Sequence, residues 1–335
     1  MDGSLRLLLL KYSVVVLDRD HIFEQNRRRL HSLAYRLLGS VADADDVTQD
    51  VYIRWHQTAF TELRSPDAWL TTVLTRLCID RMRACDRERD TYPGHWLPEP
   101  LVIAPPDHEL DLDADLSMAL LLLLERLSPD ERITFLLHDV LGHRHREIAS
   151  VLGKPEPACR QLLHRARVSI RAGRPRFHVS DDRFKGLVQR FLDALRSDDY
   201  GSLVMLMSDN ATMISDSGGR VRATMKIIKG NDRIARLLIG LRRKRIRRNI
   251  EKPMLINGDL GIVSYVNARP VAVFWFEIGE RNITRVYRLI NPDKLKGVPS
   301  LDDRARDGGV PVADAITLVC QARNDRDADP ESGRN

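Results

Sequence analysis

Two stretches of opposite charge near the start of the chain are the residues best suited to binding other molecules. Residues 43–55 read DADDVTQDVYIRW and contain four aspartates before the first basic residue, in a chain of net charge +6. Val47, Val51 and Trp55 recur every four residues, which predicts an amphipathic helix that buries them, with Asp43 as its N-cap. The exposed face is then formed by Asp46, Gln49, Asp50 and Ile53. This acidic face suits a protein partner that presents basic groups.

The second stretch, residues 65–83, has the opposite charge. Ser65-Pro66-Asp67 predicts a helix start. The predicted buried side is formed by Trp69, Leu70, Val73, Leu74, Leu77 and Cys78. Four residues follow at spacings of four, three and four and share one solvent face: Arg76, Asp80, Arg83 and Arg87. Arg81 and Arg89 are expected to widen this face, whose guanidinium groups suit phosphates.

Together, the two stretches resemble domain 2 of bacterial sigma factors of the extracytoplasmic-function group. The likeness covers RLHSLAYRLLGS (29–40), the acidic stretch and SPDAWLTTVLTRLCIDRMR (65–83). It implies that the acidic face docks on the clamp helices of the β′ subunit of RNA polymerase. It also implies that the basic helix and the loop before it open and bind the promoter −10 element. The residues assigned to −10 binding are Phe60, Arg64, Arg76, Asp80, Arg83 and Arg87. The alternative is that both helices are ordinary solvated surfaces.

Residues 91–116 have the composition of a linker. They contain five prolines, at 93, 98, 100, 105 and 106, and an acidic second half, which predicts an extended segment. Tyr92, His95, Trp96 and Leu97 are too apolar for a free tether and are expected to pack on another part of the chain. The sequence YPGHWLPEP (92–100) resembles the linker signature of one subgroup of these sigma factors, in which a fused C-terminal domain replaces a separate anti-sigma protein.

Residues 117–176 contain a helix-turn-helix pattern, HREIASVLG (145–153) followed by a second helix over 155–173. The predicted inward residues are Ile148, Ala149, Leu152, Leu162, Leu163, Ala166 and Ile170. A recognition helix places its first residues at base edges and later arginines at phosphates. Candidates near the bases are Glu156, Arg160 and Gln161, and candidates nearer the backbone are Arg165, Arg167 and Arg171; His164 shares the face of Arg160. The segment resembles sigma domain 4, the −35 reader. The alternative is an arginine-rich solvated helix.

The last third of the chain changes to helices followed by strands. Two helices are predicted over 184–209 around a turn at Asp198-Asp199, and a third follows GND (230–232). Strands are predicted at 211–216, 221–228, 253–258, 260–267, 271–278 and 282–290. This order suggests a curved α+β cone, which resembles the SnoaL-like, or nuclear-transport-factor-2-like, fold found after the two sigma domains in the same subgroup. DSGGR (216–220) is close to a motif of that subgroup, with Ser217 in place of a glycine, and INPDKL (290–295) resembles its end.

The resemblance implies an intramolecular contact between the linker and this third domain. The residues assigned to it are Trp96, Leu97, Pro98, Glu99, Pro100, Asp216, Gly218, Gly219 and Arg220. Because the cone fold also hosts isomerases and cyclases, an enzyme is an alternative. No histidine follows His178, and Asp209 and Asp216 remain as possible bases; Asp216, beside two glycines, more often caps a turn. We predict no catalytic site, cofactor or metal, and a small-molecule sensor pocket stays open.

Composition sets the remaining limits. The chain has 335 residues, 43% hydrophobic and 30% charged, which is typical of a soluble protein of two or three domains. Cys78, Cys85, Cys159 and Cys320 lack metal-site spacing and are expected to be reduced thiols of a cytoplasmic protein. LRLLLLKYSVVVL (5–17) is short and interrupted by a lysine, which favours neither a membrane span nor a signal peptide. The basic run at 242–248 is expected to be a solvated helix end or an extra DNA or polymerase contact.

The sequence therefore predicts a multidomain protein: two all-α sigma domains followed by an α+β domain. The expected boundaries are an extension at 1–19, domain 2 at 20–90, the linker at 91–116, domain 4 at 117–176, the cone domain at 181–298 and a mobile tail at 299–335. The predicted function is a polymerase specificity subunit, with core RNA polymerase and promoter DNA as partners and with its C-terminal domain as regulator. Alternatives are a helix-turn-helix operator-binding regulator and an enzyme of the cone fold.

Overall fold

The structure, a computed structural model, describes residues 3–58, 65–89, 91–103, 117–173, 180–222, 225–244 and 249–301. The described residues within Met1–Glu88 and Leu123–Gly173 form one compact unit. Those within Arg89–Leu122 and Arg174–Asn335 form a second unit, so the linker residues fall with the C-terminal domain. Phe60, Arg64, the end of the basic run (245–248), Cys320 and the predicted tail from 302 onward lie outside the described residues.

The first unit begins with three helices: α1 (Gly3–Leu38), α2 (Val41–Gln57) and α3 (Pro66–Arg89). The helical spacing of apolar residues from Ile22 to Leu38 predicts a helix over that range that ends at Gly39. Its predicted start was wrong: α1 begins at Gly3, since the leucine-rich segment before Ile22 contains no residue that breaks a helix. The predicted end at Gly39 is confirmed. Gly39 adopts a left-handed φ of 66° and its N–H donates to the carbonyl of Tyr35 at 2.8 Å.

The predicted N-cap of α2 was wrong by three residues. Ser40 is the cap, with extended backbone, and its Oγ accepts a hydrogen bond from the N–H of Asp43 at 3.2 Å. Serine caps helices as well as aspartate does and directly follows the glycine that ends α1. Asp43 instead lies in the first turn, where its carboxylate faces the positive end of the helix dipole and pairs with Arg81 at 2.8 Å.

The buried stripe of α2 is confirmed. Val51 and Trp55 are fully buried and Val47 nearly so. The indole of Trp55 lies 5.5 Å from that of Trp69 on α3, and its N–H donates to the carbonyl of Arg19 on α1. These contacts hold the three helices together, so that their charged faces point outward.

Helix α4 (Met118–Leu124) lies at the division, with Met118–Leu122 in the second unit and only its last two residues in the first. The first unit continues with α5 (Pro129–Phe135), a π-helical segment (Leu136–Val140), α6 (His145–Leu152) and α7 (Glu156–Gly173). Two predictions need correction. The run MALLLLLERLSP predicts a helix that ends at Ser128-Pro129, but α4 ends at Leu124. The run PDERITFLLHDVLG predicts a regular helix closed by Gly142, but the last turn widens into the π segment before Gly142 (φ 71°).

The helix-turn-helix itself is confirmed. Gly153, with a left-handed φ of 63°, ends α6 and allows the chain to turn into α7. The inward residues are buried as predicted, except that Ala149 and Leu152 are only partly buried. In α5, buried Arg132 donates to the carbonyl of Leu37 at 2.6 Å and pairs with Glu125 at 2.9 Å.

The second unit contains a seven-stranded sheet in the order β1-β4-β5-β6-β7-β2-β3. The strands are β1 (Val102–Ile103), β2 (Met207–Asp216), β3 (Ile228–Lys229), β4 (Asn249–Ile256), β5 (Asp259–Val266), β6 (Arg269–Ile278) and β7 (Ile283–Leu289). All neighbours are antiparallel except β2 and β7, which are parallel. The strand predicted at 221–228 was wrong, because among its described residues only Ile228 lies in a strand, β3.

Three helices cover one face of this sheet: α8 (Asp181–Arg196), α9 (Tyr200–Leu206) and α10 (Asn231–Lys244). The turn predicted at Asp198-Asp199 is confirmed, with Asp198 at a φ of 54° and Asp199 as N-cap of α9. The core between helices and sheet includes Phe191 against Phe276, ring centroids 5.0 Å apart. The predicted fold class, two all-α domains followed by an α+β domain, is confirmed.

The linker also contributes to the sheet. It was predicted to be extended, and Val102 and Ile103 are extended as β1, which pairs with Ile256 and Leu255 of β4. The sequence did not predict this pairing. Two hydrogen bonds continue this pairing. The N–H of Asn257 donates to the carbonyl of Leu101 at 2.9 Å, and the N–H of Leu101 donates to Oδ1 of Asn257 at 3.0 Å. No helix among the described residues combines the length and the apolar character needed to cross a bilayer.

Candidate polymerase, DNA and linker interfaces

The acidic face of α2 is exposed as the pattern predicted. Its members are Asp46, Gln49, Asp50 and Ile53, all open to solvent. Ile53 is 45% exposed, an unusual position for a large apolar side chain. Within the described part of the chain, Asp46 and Asp50 have no ion-pair partner. The face therefore presents unneutralised carboxylates beside an apolar residue, a combination suited to a basic protein surface.

The basic face of α3 is narrower than predicted. Arg76, Asp80, Arg83 and Arg87 are all exposed on one side. Arg81, however, pairs with Asp43 at 2.8 Å and with Glu88 at 3.4 Å, because α2 and α3 place these groups side by side. The guanidinium of Arg89 stacks on the indole of Trp96 at 3.9 Å. Both arginines are thus engaged within the protein, which corrects their assignment to the open face.

The recognition helix α7 presents its predicted residues to solvent. Arg160, Gln161, His164, Arg165, Arg167 and Arg171 are exposed and Glu156 is half-buried. Glu156 and Arg160 form an ion pair of 2.7 Å one turn apart at the start of the helix. A guanidinium held in this way has fewer rotamers to lose when it binds a base edge.

Two arginines of α7 are held by carboxylates that the sequence analysis did not identify. Arg165 contacts Glu131 at 2.7 Å, and Arg167 makes two hydrogen bonds to Asp139, at 2.6 and 2.9 Å. The hydrogen bond from Arg167 lowers the pKa of Asp139 and raises its own pKa. Asp139 lies in the π-helical segment, whose extra residue shifts its direction, so helical periodicity alone could not have placed it.

The linker and the C-terminal domain meet at Asp216, the last residue of β2. This carboxylate is fully buried and accepts four hydrogen bonds. Its Oδ1 accepts from the hydroxyl of Tyr92 at 2.6 Å and from the N–H of Gly218 at 3.0 Å. Its Oδ2 accepts from the N–H of Leu97 at 2.9 Å and from the ammonium of Lys294 at 2.7 Å. Two of the four donors belong to the linker.

Lys294 completes this arrangement from the segment after β7. Its ammonium also donates to the carbonyl of Leu97 at 2.6 Å and lies 4.0 Å from the centre of the Trp96 ring. Asn291 donates to the hydroxyl of Tyr92 at 3.0 Å. Burial, followed by the hydrogen bond to Asp216, raises the pKa of Tyr92 well above its usual value, so the phenol stays protonated as a donor.

The two glycines of DSGGR are required by geometry. Gly218 and Gly219 both have left-handed φ values, 56° and 69°. A Cβ on Gly218 would lie 2.4 Å from Nδ2 of Asn291, and one on Gly219 would lie 2.5 Å from Cγ of Pro93. The turn thus lets the linker approach the backbone closely.

The predicted linker contacts come together with one exception. Leu97, Pro98, Glu99 and Pro100 are buried, and Trp96 is partly buried against Lys294 and Arg89. Arg220 is instead exposed and pairs with Asp293 at 3.1 Å. The sequence analysis missed Asn291, Lys294 and Asn257 as partners, although the first two belong to the INPDKL run that it singled out.

The geometry leaves little room for Asp216 as a general base. A carboxylate has about four lone-pair positions, and here four donors from the protein use them. Asp209, the other candidate, is exposed and accepts from Asn231 at 3.2 Å. Within the described ranges, no group of three or more metal-binding side chains converges.

The helical surfaces and the linker contact together define a sigma factor with a fused C-terminal domain. Residues 22–88 match the family described as Sigma-70 region 2, and residues 117–170 match Sigma-70, region 4. The chain belongs to the extracytoplasmic-function RNA polymerase sigma factors and is an RNA polymerase sigma factor, with core polymerase and promoter DNA as its binding partners.

Relatives extend the likeness to most of the chain. It is 33% identical over 310 residues to the extracytoplasmic-function sigma factor SigJ of Mycobacterium tuberculosis, covering 86% of this chain and 96% of the relative. It is 26% identical over 274 residues to the probable sigma factor SigI of the same species, covering 81% and 92%. The crystal structure of Mycobacterium tuberculosis SigJ superposes with a TM-score of 0.67, covering 84% of this chain and 99% of that one.

Proposed function

We propose that this sigma factor controls its own promoter binding through the contact between its linker and its C-terminal domain. The observation that carries the proposal is the buried carboxylate of Asp216, which accepts hydrogen bonds from Tyr92 and Leu97 of the linker. In the chain, the linker connects α3 to α4. Its attachment to the C-terminal domain limits the separations that the two DNA-binding domains can adopt. Release of the linker removes this limit and shifts the population toward promoter-competent arrangements.

Core polymerase, in this proposal, binds the acidic face of α2 through the clamp helices of its β′ subunit. Exposed Asp46 and Asp50 would meet basic groups, and Ile53 would bury its apolar surface. The binding takes place in the cytoplasm, where the polymerase acts. A pull-down of core enzyme tests this face: Asp50→Lys should reduce capture, whereas Asp86→Lys, an exposed charge reversal on α3, should not. Equal capture by both variants would contradict the assignment.

For promoter DNA, we assign the −10 element to α3 and the loop before it, and the −35 element to α7. The exposed guanidinium row of α3 and the exposed start of α7 support this assignment. The residues assigned to these contacts are the ones predicted from the sequence. Two of them, Phe60 and Arg64, lie outside the residues that the structure describes. Arg160→Ala should relax −35 selectivity in binding to a randomised DNA library. A loss that is uniform across all sequences would instead make Arg160 a phosphate contact.

The regulatory part is tested by removing the C-terminal domain. A chain ending at residue 179 lacks Asp216 and Lys294, so the linker loses its buried partners. Transcription from genomic DNA by core polymerase with this chain should differ from that with the full chain, in amount or in the set of start sites. Identical start sites and amounts would remove the regulatory claim while leaving the sigma-factor function intact.

A further inference from the structure

Two histidines near the helix-turn-helix stack on each other. His138 lies in the π-helical segment, and His145 is the first residue of α6. Their ring centroids are 4.6 Å apart and their ring planes differ by 26°. Histidine is the side chain whose charge ordinarily changes between pH 5 and 8. Because the rings are in contact, a proton on one disfavours a proton on the other, so the two histidines titrate as a pair.

His138 shares a carboxylate with the recognition helix. Its Nδ1 lies 2.8 Å from Oδ1 of Asp139, and the same oxygen accepts a hydrogen bond from Arg167 of α7 at 2.6 Å. The hydrogen bond from Arg167, and after it the one from His138, lowers the pKa of Asp139. This carboxylate therefore stays charged over the range in which histidines titrate. A change of charge on His138 acts directly on the partner of Arg167.

His145 is coupled to the start of α7. Burial lowers the pKa of His145, and the charges of His138 and Arg160 lower it further. Glu156, the ion-pair partner of Arg160 at 2.7 Å, opposes this shift, and Arg167 adds to it. Nδ1 of His145 is buried and has no hydrogen-bond partner among the described residues. The histidine pair is thus coupled to two ion pairs of α7, one near its start and one further along.

Four elements contribute charged groups around the pair. Those of the π-helical segment, the start of α6 and α7 are Asp139, His143, Arg144, Glu147, Glu156, Arg160 and Arg167. His143 and Glu147 contact each other at 3.3 Å, so their charges offset each other when His143 is protonated. Helix α1, which also contacts the π-helical segment, carries buried Arg36 in its last turn.

One proton on the pair changes the net charge beside α7. When both histidines are neutral, the carboxylates of Asp139 and Glu156 balance the guanidinium groups of Arg167 and Arg160. A proton on either ring leaves this group of side chains positive. Phosphates attract positive charge, so DNA favours the protonated pair. By reciprocity, protonation of the pair raises the affinity for DNA by the same factor.

We propose that His138 and His145 are positioning residues for α7, and that binding of duplex DNA by this helix takes up a proton at the pair. The inference rests on the proposed assignment of α7 to DNA. Protonated His138 binds Asp139 as a charged donor, which frees the guanidinium of Arg167 for a phosphate. Neutral His138 leaves Arg167 paired with Asp139. The affinity for DNA therefore rises as the pH falls.

Titrations of the full-length chain with a short duplex of mixed sequence, at low and constant ionic strength, test the proposal between pH 6 and pH 8. The comparison is with the His138→Gln/His145→Gln double variant, because glutamine can still donate to Asp139 but does not titrate. Over this range the affinity of the parent should rise about threefold to tenfold more than that of the double variant, since one proton changes affinity by at most about tenfold per pH unit. Exposed His164 is present in both chains, so its contribution cancels in the difference.

The proton uptake can also be measured directly. Titration calorimetry near neutral pH, in two buffers of different ionisation enthalpy, gives heats whose difference reports the number of protons taken up on DNA binding. The parent should take up more protons than the double variant. His21→Gln, which changes an exposed histidine of α1 that contacts Gln25, should take up as many as the parent.

A purely structural role for the histidines would lower the affinity of the double variant equally at every pH. Equal pH dependence and equal proton uptake in the parent and the folded double variant would therefore overturn the proposal. Arg167→Gln tests the underlying assignment separately, since it should bind the duplex more weakly at every pH. Parent-like binding by Arg167→Gln, or no binding of the duplex by any of the chains, would contradict the DNA contact of α7 itself.

Discussion

Replacing Asp216 by asparagine should release the linker without unfolding the C-terminal domain. Asparagine has the shape of aspartate, but it carries no charge and its NH₂ group cannot accept a hydrogen bond. At least one of the four donors would lose its partner, and the ammonium of Lys294, whose side chain is 12% exposed, would lose the carboxylate that it contacts at 2.7 Å. Breaking a buried charge pair from one side costs about 3–5 kcal/mol.

The loss destabilises the state in which the linker is bound, because Tyr92 and Leu97 of the linker supply two of the four donors. At about 1.4 kcal/mol for each tenfold change, the opening equilibrium of the linker shifts by roughly a hundredfold to a few thousandfold. The amide of Leu97 reports this opening directly, because its N–H donates to Asp216. Its hydrogen exchange should accelerate accordingly in Asp216→Asn.

Asp293→Asn is the matched control, since this carboxylate lies in the same domain but is 49% exposed and pairs with Arg220 and Lys296 on the surface. Exchange of Leu97 should be unchanged in it. Amides of β6 should remain protected in both variants, which separates linker release from unfolding. If folded Asp216→Asn protected Leu97 as well as the parent does, the reasoning that the carboxylate holds the linker would be refuted.

Three further substitutions test other parts of the structure. Gly219→Ala places a Cβ against Pro93 at a left-handed φ, so it should speed linker exchange while leaving core-polymerase capture unchanged; unchanged exchange would show that the turn tolerates a side chain. Asp139→Asn removes the carboxylate that holds Arg167, so the affinity for non-specific DNA should rise. The slope of log affinity against log salt concentration should become steeper by about one released counterion. Weaker binding in a titration would mean that the carboxylate positions the arginine for DNA. Trp55→Ala empties a fully buried site and should lower the free energy of unfolding by about 3–5 kcal/mol in denaturant melts; a loss below about 1 kcal/mol would contradict its role in joining the first three helices.

The faces of the helices were predictable because helical periodicity is local. Val47, Val51 and Trp55 recur within fifteen residues, and a single period places all three on the buried side. The cap of α2 was missed because Ser40 and Asp43 are both good caps and the sequence does not decide between them. The π-helical segment Leu136–Val140 was missed because a π turn leaves no periodic signal.

The linker site could be predicted in part only. The sequence identified the linker segment and the DSGGR turn, but not that Asp216 and Lys294 form its centre. Their contact with Leu97 joins segments more than a hundred residues apart, and nothing in local spacing reports such pairing.

The central claim is that the buried contact at Asp216 restrains promoter binding through the linker. The most direct measurement is transcription from total genomic DNA by core RNA polymerase supplied with the parent chain, Asp216→Asn or Asp293→Asn, with transcript 5′ ends counted. We predict that Asp216→Asn changes the yield or the distribution of start sites while Asp293→Asn matches the parent. Start sites and yields that are the same for all three chains, despite faster exchange of the Leu97 amide in Asp216→Asn, would contradict it.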